Sequence, residues 1–435
     1  MALERKTVET EPGPGGTWVN GRRLGLISRF VGLQFLIQLV SVLTGLLVVR
    51  GMDKTHYAWY TIVFGLQGSV SALSQFAVAG GIVAIGGESI GDRRAFGAVI
   101  AAARSQRLLI LAMVLPILVP PYWFLLSRAG CAPGTAAALI TVIVLNLGLL
   151  LEEQISAAPF ALARRYHFPQ VYELGTFGLR LLLVLSLSCW GVFHPVPVIA
   201  ASVVSLAVGI FGFLRPAAKG FSARGSKATP DLRKRFLRYC WNGVPTMVNT
   251  MVQSQIGVIV IASFGHIEAA ADLGAITKMA VLFGIPTAIV EKMFVARMAV
   301  EADRARLRTI WLQGIGFALL AAVVLVGTVA LFGEELVWIL GGQYADISED
   351  LLLYGLYLAY LLVASAAFGV LQAKGWLKHS WLVPVTILGA QLCAFPWIDA
   401  GTVRGVILLK FAGDLAGGVY STALLVRGFG GRGRI

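Results

Sequence analysis

The sequence predicts an all-α polytopic membrane protein with about twelve transmembrane helices in two six-helix bundles. Three observations carry this prediction. The 435 residues are 57% hydrophobic and only 13% charged, with a mean hydropathy of +0.79. Soluble domains run at about 45–50% and about 25%. A soluble enzyme of one or two domains is thereby excluded, and so is a disordered chain, which needs low hydrophobicity and high charge. The 50 glycines follow no Gly-X-Y period, which excludes a collagen-like chain. Second, apolar stretches of about 20 residues recur, the length at which a helix crosses a bilayer with its backbone bonds satisfied internally. Third, cations gather in alternate loops.

The first stretch is Leu24–Val49, after a polar segment through Arg23 that holds Pro12, Gly13, Pro14, Gly15 and Gly16. That segment lacks the apolar core of a signal peptide and reads as a mobile cytoplasmic tail, 1–23. The next five are Tyr57–Gly80, Leu108–Leu126, Ala136–Leu162, Val171–Val192 and Val196–Leu214. A basic segment, 215–238, follows and reads as a cytoplasmic linker. The second set is Val244–Phe264, Leu273–Ala296, Ile310–Phe332, Leu351–Leu371, Trp381–Trp397 and Val403–Val426. The chain therefore divides into bundles over 24–214 and 239–427, with a short cytoplasmic tail over 428–435. Six plus six is the division expected of transporters built from repeats.

Net charge is +14, from 36 Lys+Arg against 22 Asp+Glu. In a soluble chain this excess suggests nucleic acid, but here it sorts by loop. With the N-terminus inside, the inner loops hold Arg93, Arg94, Arg164, Arg165, the linker cations, Arg304, Arg306, Arg308, Lys374 and Lys378. The outer loops hold Glu268, Asp272, Glu334, Glu335, Asp346, Glu349 and Asp350. Arg50, Lys54, Arg128 and Arg404 are the exceptions. Positive loops resist translocation, so both termini are expected in the cytoplasm and no nucleic-acid partner is expected. The cysteines at 131, 189, 240 and 393 have no metal-ligand or disulfide spacing.

Several segments resemble a known family. LTGLLVVRGMDKTHYAWYTIVFGLQ (Leu43–Gln67) has an apolar helix, an Arg, a short loop, and then a small and an aromatic residue opening the next helix. Phe236–Gly265 carries an early proline, Pro245, and Glu268–Ala299 a mid-helix proline, Pro286. Trp338–Leu362 has a Gly, an aromatic-Ala pair and a Leu-rich helix. Together they resemble the polysaccharide-exporter, or O-antigen flippase, branch of the MOP superfamily. Many members have fourteen helices, whereas this chain has room for about twelve. The resemblance implies a MATE-like fold of two rocking bundles in the cell inner membrane. It also implies a polyprenyl-pyrophosphate-linked oligosaccharide as cargo, carried from the cytoplasmic to the outer leaflet. Membrane lipids, and a polysaccharide polymerase or assembly proteins, are the other partners it suggests. No cofactor is expected; a proton or sodium gradient is the candidate energy source.

A pyrophosphate is anionic and needs fixed positive charge in a wet cavity, because burying an unpaired anion is costly. The cations inside predicted helices are Arg29, Arg180, Lys278 and Lys410. Arg29 can equally reach the inner interface. Lys410 and Asp414 are four apart and can equally neutralise one another, and Arg180 can pair with Glu152 or Glu153. Glu152, Glu153 and Asp414 are the candidate ion-coupling carboxylates. Gln34 and Gln38 share a helix face, Asn249, Gln253 and Gln255 lie on one stretch, and Gln67 and Gln75 on another. Such residues suit sugar hydroxyls, and equally interhelical hydrogen bonds. Trp59, Tyr57, Tyr60, Trp123, Trp338, Trp376 and Trp381 sit near span ends and read as interface anchors. A cation-coupled multidrug exporter is the first alternative. A membrane-embedded glycosyltransferase or polymerase is the second, disfavoured by an outer loop at 333–350 without His, Lys or Arg. No Walker A pattern is present, which argues against direct ATP drive.

Overall fold

Why the twelve apolar stretches become helices is a matter of backbone chemistry, since in lipid only internally bonded backbone is tolerated. The computed structural model describes residues 21–430, except 75–77, 79, 164, 166, 224, 265–266, 296, 299–300, 302, 375 and 377–380. The first half comprises α1 (Gly21–Gly51), α2 (Lys54–Ser74), α3 (Gly80–Gly86), α4 (Arg93–Arg128), α5 (Pro133–Leu162), α6 (His167–Cys189), α7 (Pro195–Gly209) and α8 (Arg215–Ala218). The second comprises α9 (Pro230–Phe264), α10 (Ile267–Met279), α11 (Val281–Ile289) and α12 (Arg304–Leu331). It closes with α13 (Gly333–Leu340), α14 (Ser348–Ala373), α15 (Leu382–Ala394) and α16 (Val403–Phe429). Among the described residues the predicted spans fall on helix apart from their ends, and the chain is a polytopic all-α membrane protein. Among the described residues, six helices are long and apolar enough to cross a membrane by length and composition alone.

Large apolar side chains face outward, with Trp190 76%, Leu331 77% and Trp397 88% exposed. In water such a surface would drive association; against acyl chains it is the solvated face. The packing is of helix on helix. The helices α1, α4, α5, α6 and α7 pack within the first half, and α12, α14, α15 and α16 within the second. Across the halves, α9 packs on α2 and α4, and α10 packs on α2. One apolar core accordingly runs through both, joining Val48, Ile62 and Leu66 to Ile261, Ile276, Leu340 and Ile347.

Three departures from the predicted spans have local causes. Helix α4 starts fifteen residues before the predicted span, because Asp92 caps it by accepting from the backbone N–H of Arg94 and Ala95. Helix α9 starts at Pro230, inside the predicted linker, where Thr229 Oγ1 accepts from Leu232 N and proline occupies the first helical position. The predicted span Leu273–Ala296 is broken into α10 and α11, bent by 47°. Pro286 lies inside α11, which runs through it, and the break falls earlier, at Ala280. The break tightens to three-residue spacing, with Ala280 N bonded to Thr277 O at 3.2 Å and Phe283 N to Ala280 O at 3.0 Å.

Candidate functional site

Lys278 occupies the last turn of α10, at the edge of that break. The free carbonyls and the negative dipole end of a helix C-terminus favour a cation there. Its Nζ stands 5.4 Å from the centroid of Phe64 and 5.8 Å from that of Tyr60. Those two rings are one helical turn apart on α2 and 4.6 Å from each other. Arg180, from α6, reaches the same pair: its guanidinium lies 5.6 Å over Phe64 and its Nη2 donates to Tyr60 Oη at 3.3 Å. One cation from each half thus meets a single aromatic pair. Among the described residues, neither closes an ion pair with a carboxylate.

Arg180 also lines a cavity of about 390 Å³ between α1, α2, α5, α6 and α7. Its polar wall includes Ser41, Gln67, Asn146, Glu153, Gln154, Thr176, Ser202 and Ser205. Asn146 Oδ1 and Gln67 Oε1 are buried with no hydrogen-bond partner among the described residues. Buried amide oxygens are normally satisfied. Two left open beside a cation suit a ligand rich in hydroxyls. Gln34, Gln38 and Ser41 follow one face of α1, where Gln34 Oε1 accepts from Gln170 Nε2 of α6 at 3.4 Å. Gln38 is half-buried on the same face.

The other expected site residues are placed apart from this group. Glu152 does not face Arg180. It is buried against α4, accepting from Arg104 Nη2 at 2.8 Å and Arg107 Nη1 at 2.5 Å, with Arg215 Nε at 3.7 Å. The expected Arg180–Glu152 pair is thereby corrected: adjacent residues on a helix point about 100° apart, and only Glu153 reaches the cavity. Asp414 accepts from Tyr357 Oη at 2.7 Å, while Lys410 Nζ lies 5.7 Å from the centroid of that same tyrosine. Tyr357 thus mediates between the expected pair. Gln253 and Gln391 exchange amide hydrogen bonds of 3.1 and 2.9 Å, tying α9 to α15. The side chains of Arg29 and Asn249, and all of Gln75, lie outside the described residues.

Two of the expected interface anchors are instead interior. Tyr57 is 0% and Tyr60 2% exposed, because α2 runs between the halves rather than along lipid. Trp338 and Trp381 are exposed, as anchors should be. Asn146, Phe64, Arg104 and Arg107 are site or cluster residues that sequence reasoning missed. Only Asn146, a lone amide within an apolar span, left a signal to find.

Solved structures with this arrangement of helices are transporters. An inward-facing multidrug resistance MATE family transporter of the MOP superfamily matches with a TM-score of 0.71 at 15% identity, over 89% of this chain and 95% of that one. The lipid II flippase MurJ, in an inward closed conformation, also matches at 0.71, with 13% identity over 90% of this chain and 86% of that one. The chain has the fold of the MOP-superfamily transporters. An outward-facing MATE transporter matches less closely, at 0.63 with 16% identity over 91% of this chain and 93% of that one. No protein-family model matches the sequence, and no curated protein matches it either. At such identities the likeness speaks to the fold, and the cargo has to be read from the residues.

Proposed function

We propose that the chain is a flippase for an anionic lipid-linked oligosaccharide, a polyprenyl pyrophosphate bearing a polysaccharide repeat unit. The observation that carries this reading is the meeting of Arg180 and Lys278 on the Tyr60–Phe64 pair, beside a polar cavity. Among the described residues neither cation closes an ion pair with a carboxylate, which leaves both available to a pyrophosphate, while Glu153 and Glu173 line the cavity beside Arg180. The open amide oxygens of Asn146 and Gln67 suit sugar hydroxyls. The prenyl tail stays in the bilayer, and the bundles 24–214 and 239–427 rock about the cavity to carry the head group from the cytoplasmic to the outer leaflet. The chain resides in the cell inner membrane with both termini cytoplasmic, as the loop charges indicate. The match to a lipid II flippase supports a lipid-linked cargo. Lys410, with Asp414, forms a second charged group in the other bundle.

The test is a leaflet assay with purified protein in vesicles carrying polyprenyl-pyrophosphate oligosaccharide. A charge-assisted contact contributes about 1.5–3 kcal/mol. Arg180→Gln and Lys278→Gln should therefore each slow transfer about tenfold or more while the fold is retained. A folded wild-type protein that transfers nothing overturns the reading. A second reading, a cation-coupled multidrug exporter, is favoured by one observation: Glu153 faces the same cavity and is positioned to receive a cation. Organic-cation efflux driven by an imposed proton or sodium gradient, and lost in Glu153→Gln, would select it instead.

A further inference from the structure

A second cavity, of about 410 Å³, lies on the other side of α5, against α4, α8 and the chain that follows α8. Arg104, Arg215 and Lys219 line it, together with Ser156, Ser222 and Ser226. It shares no residue with the Arg180 cavity. Three arginines, Arg104, Arg107 and Arg215, gather around one carboxylate, Glu152, and Lys219 lines the cavity beside them, so the local balance is positive. The Ser156 hydroxyl is 2% exposed at the level of the whole residue and has no hydrogen-bond partner among the described residues. Arg104 Nε is a second buried donor left open. A buried donor without an acceptor costs about 1–3 kcal/mol. Two of them on the wall of a cationic cavity point to an anion that accepts.

The wall is also built rather than incidental. Arg93 donates from Nη2 to Gly220 O, and Ala223 N returns a bond to Arg93 O at 2.8 Å. Gly225 takes a φ of 76°, which turns the chain back onto α4. Gly97 permits the approach, since a Cβ there would stand 2.5 Å from Ser226 Oγ. The cavity sits beside the last two turns of α5 and the early turns of α4, level with the basic loops, where a lipid head group lies.

We infer that this cavity binds a phosphate group, held by Arg104, Arg215, Lys219 and the Ser156 hydroxyl. A phosphodiester head group of an anionic lipid and a free phosphate compound share that chemistry. Either one would tie the start of the linker to α4 and α5. This site is independent of the flippase reading.

The experiment uses the full-length protein in nanodiscs, and compares wild type with the double variant Arg215→Gln/Lys219→Gln, whose side chains lie toward solvent. Retention of phosphatidylglycerol against phosphatidylcholine is read by native mass spectrometry, and inorganic phosphate binding by thermal shift in phosphatidylcholine discs. Selective retention of phosphatidylglycerol, weakened about fivefold or more per cation removed, supports a lipid head group. Binding of inorganic phosphate with the same loss, but no preference for phosphatidylglycerol, supports a free phosphate compound. Absence of both, or binding that the double variant leaves unchanged, overturns the proposal. Ser156→Ala, a smaller change in a buried wall, should weaken the same binding without lowering the melting point.

Discussion

Glu152 and Glu153 are neighbours in the chain, yet one is sealed among arginines and the other faces the Arg180 cavity. Removing the first charge leaves Arg104 and Arg107 without their carboxylate. A fully buried pair broken this way costs about 3–5 kcal/mol. The arginines are 38% and 25% exposed, so solvent screens part of the loss. Glu152→Gln should therefore destabilise the protein by about 1–3 kcal/mol, read as an earlier unfolding midpoint in denaturant. Glu153→Gln keeps the side chain's size and breaks no ion pair among the described residues, so it should lower the midpoint less. Equal midpoints for the two variants would refute the distinction. The stranded charges themselves were legible in the sequence, because an apolar helix makes them conspicuous. Their partners were not. Arg104 and Arg107 fall between predicted spans, and Tyr60 reads as an interface anchor until the packing of α2 is known.

At the level of elements, hydropathy placed its apolar stretches on helices, six of which among the described residues are long and apolar enough to cross a membrane. It could not see ends or breaks, which caps and local backbone bonding set. Asp92 lengthens α4, Thr229 starts α9 early, and the eighth span breaks at Ala280, beside Lys278. A further cap governs α7. His194 precedes it, and its Nδ1 accepts from Val196 N over a long 3.5 Å. Burial, and then the neighbouring His56, push His194 below its ordinary 6.5, with Asp53 opposing them. A protonated ring has no acceptor nitrogen, and its charge opposes the positive end of α7. The sign follows: the native state prefers the neutral ring, so the contribution is complete above pH 6.5 and is lost as pH falls below it. Burial raises Asp53, but hydrogen bonds from His56 outweigh it and leave the carboxyl below its ordinary 3.8, so its own contribution fades only in stronger acid. Hydrogen exchange over 190–197, corrected for intrinsic rates, should quicken between pH 7.5 and pH 5.5. In His194→Ser, which keeps a cap oxygen, the quickening should vanish. Protection unchanged across that range would remove the His194 cap as a pH-sensitive element.

For the molecule as a whole, the sequence pattern separates two bundles but cannot say which faces meet, because contact between distant helices leaves no periodic trace. The most informative residues are those that broke the charge alternation. Arg50 donates to Trp338 O at 2.8 Å and lies 5.2 Å over that ring. Lys54 pairs with Asp272 at 3.1 Å and faces Tyr344, while Gln343 donates to Val49 O and Met52 O. All of these contacts join the α1–α2 turn to the second half, so the cations stranded on the acidic face tie the two halves together there. Lys54 and Asp272 are partly exposed, so the pair alone contributes about 0.5–1 kcal/mol, a two- to fivefold bias toward the joined state. A covalent bond in its place should be absolute. With the native cysteines at 131, 189, 240 and 393 replaced, Lys54→Cys/Asp272→Cys joined by a short thiol crosslinker should stop transfer in the leaflet assay. With a methanethiosulfonate crosslinker, which forms disulfides, reduction should restore the rate, and the reagent should leave transfer by each single-cysteine variant unchanged. Gly274 lies on the same contact, where a Cβ would meet Thr61 Oγ1 at 2.3 Å. Gly274→Val should wedge α10 from α2 and lower the yield of crosslink. Transfer that continues at full rate in the crosslinked protein would show that this face does not open during transport.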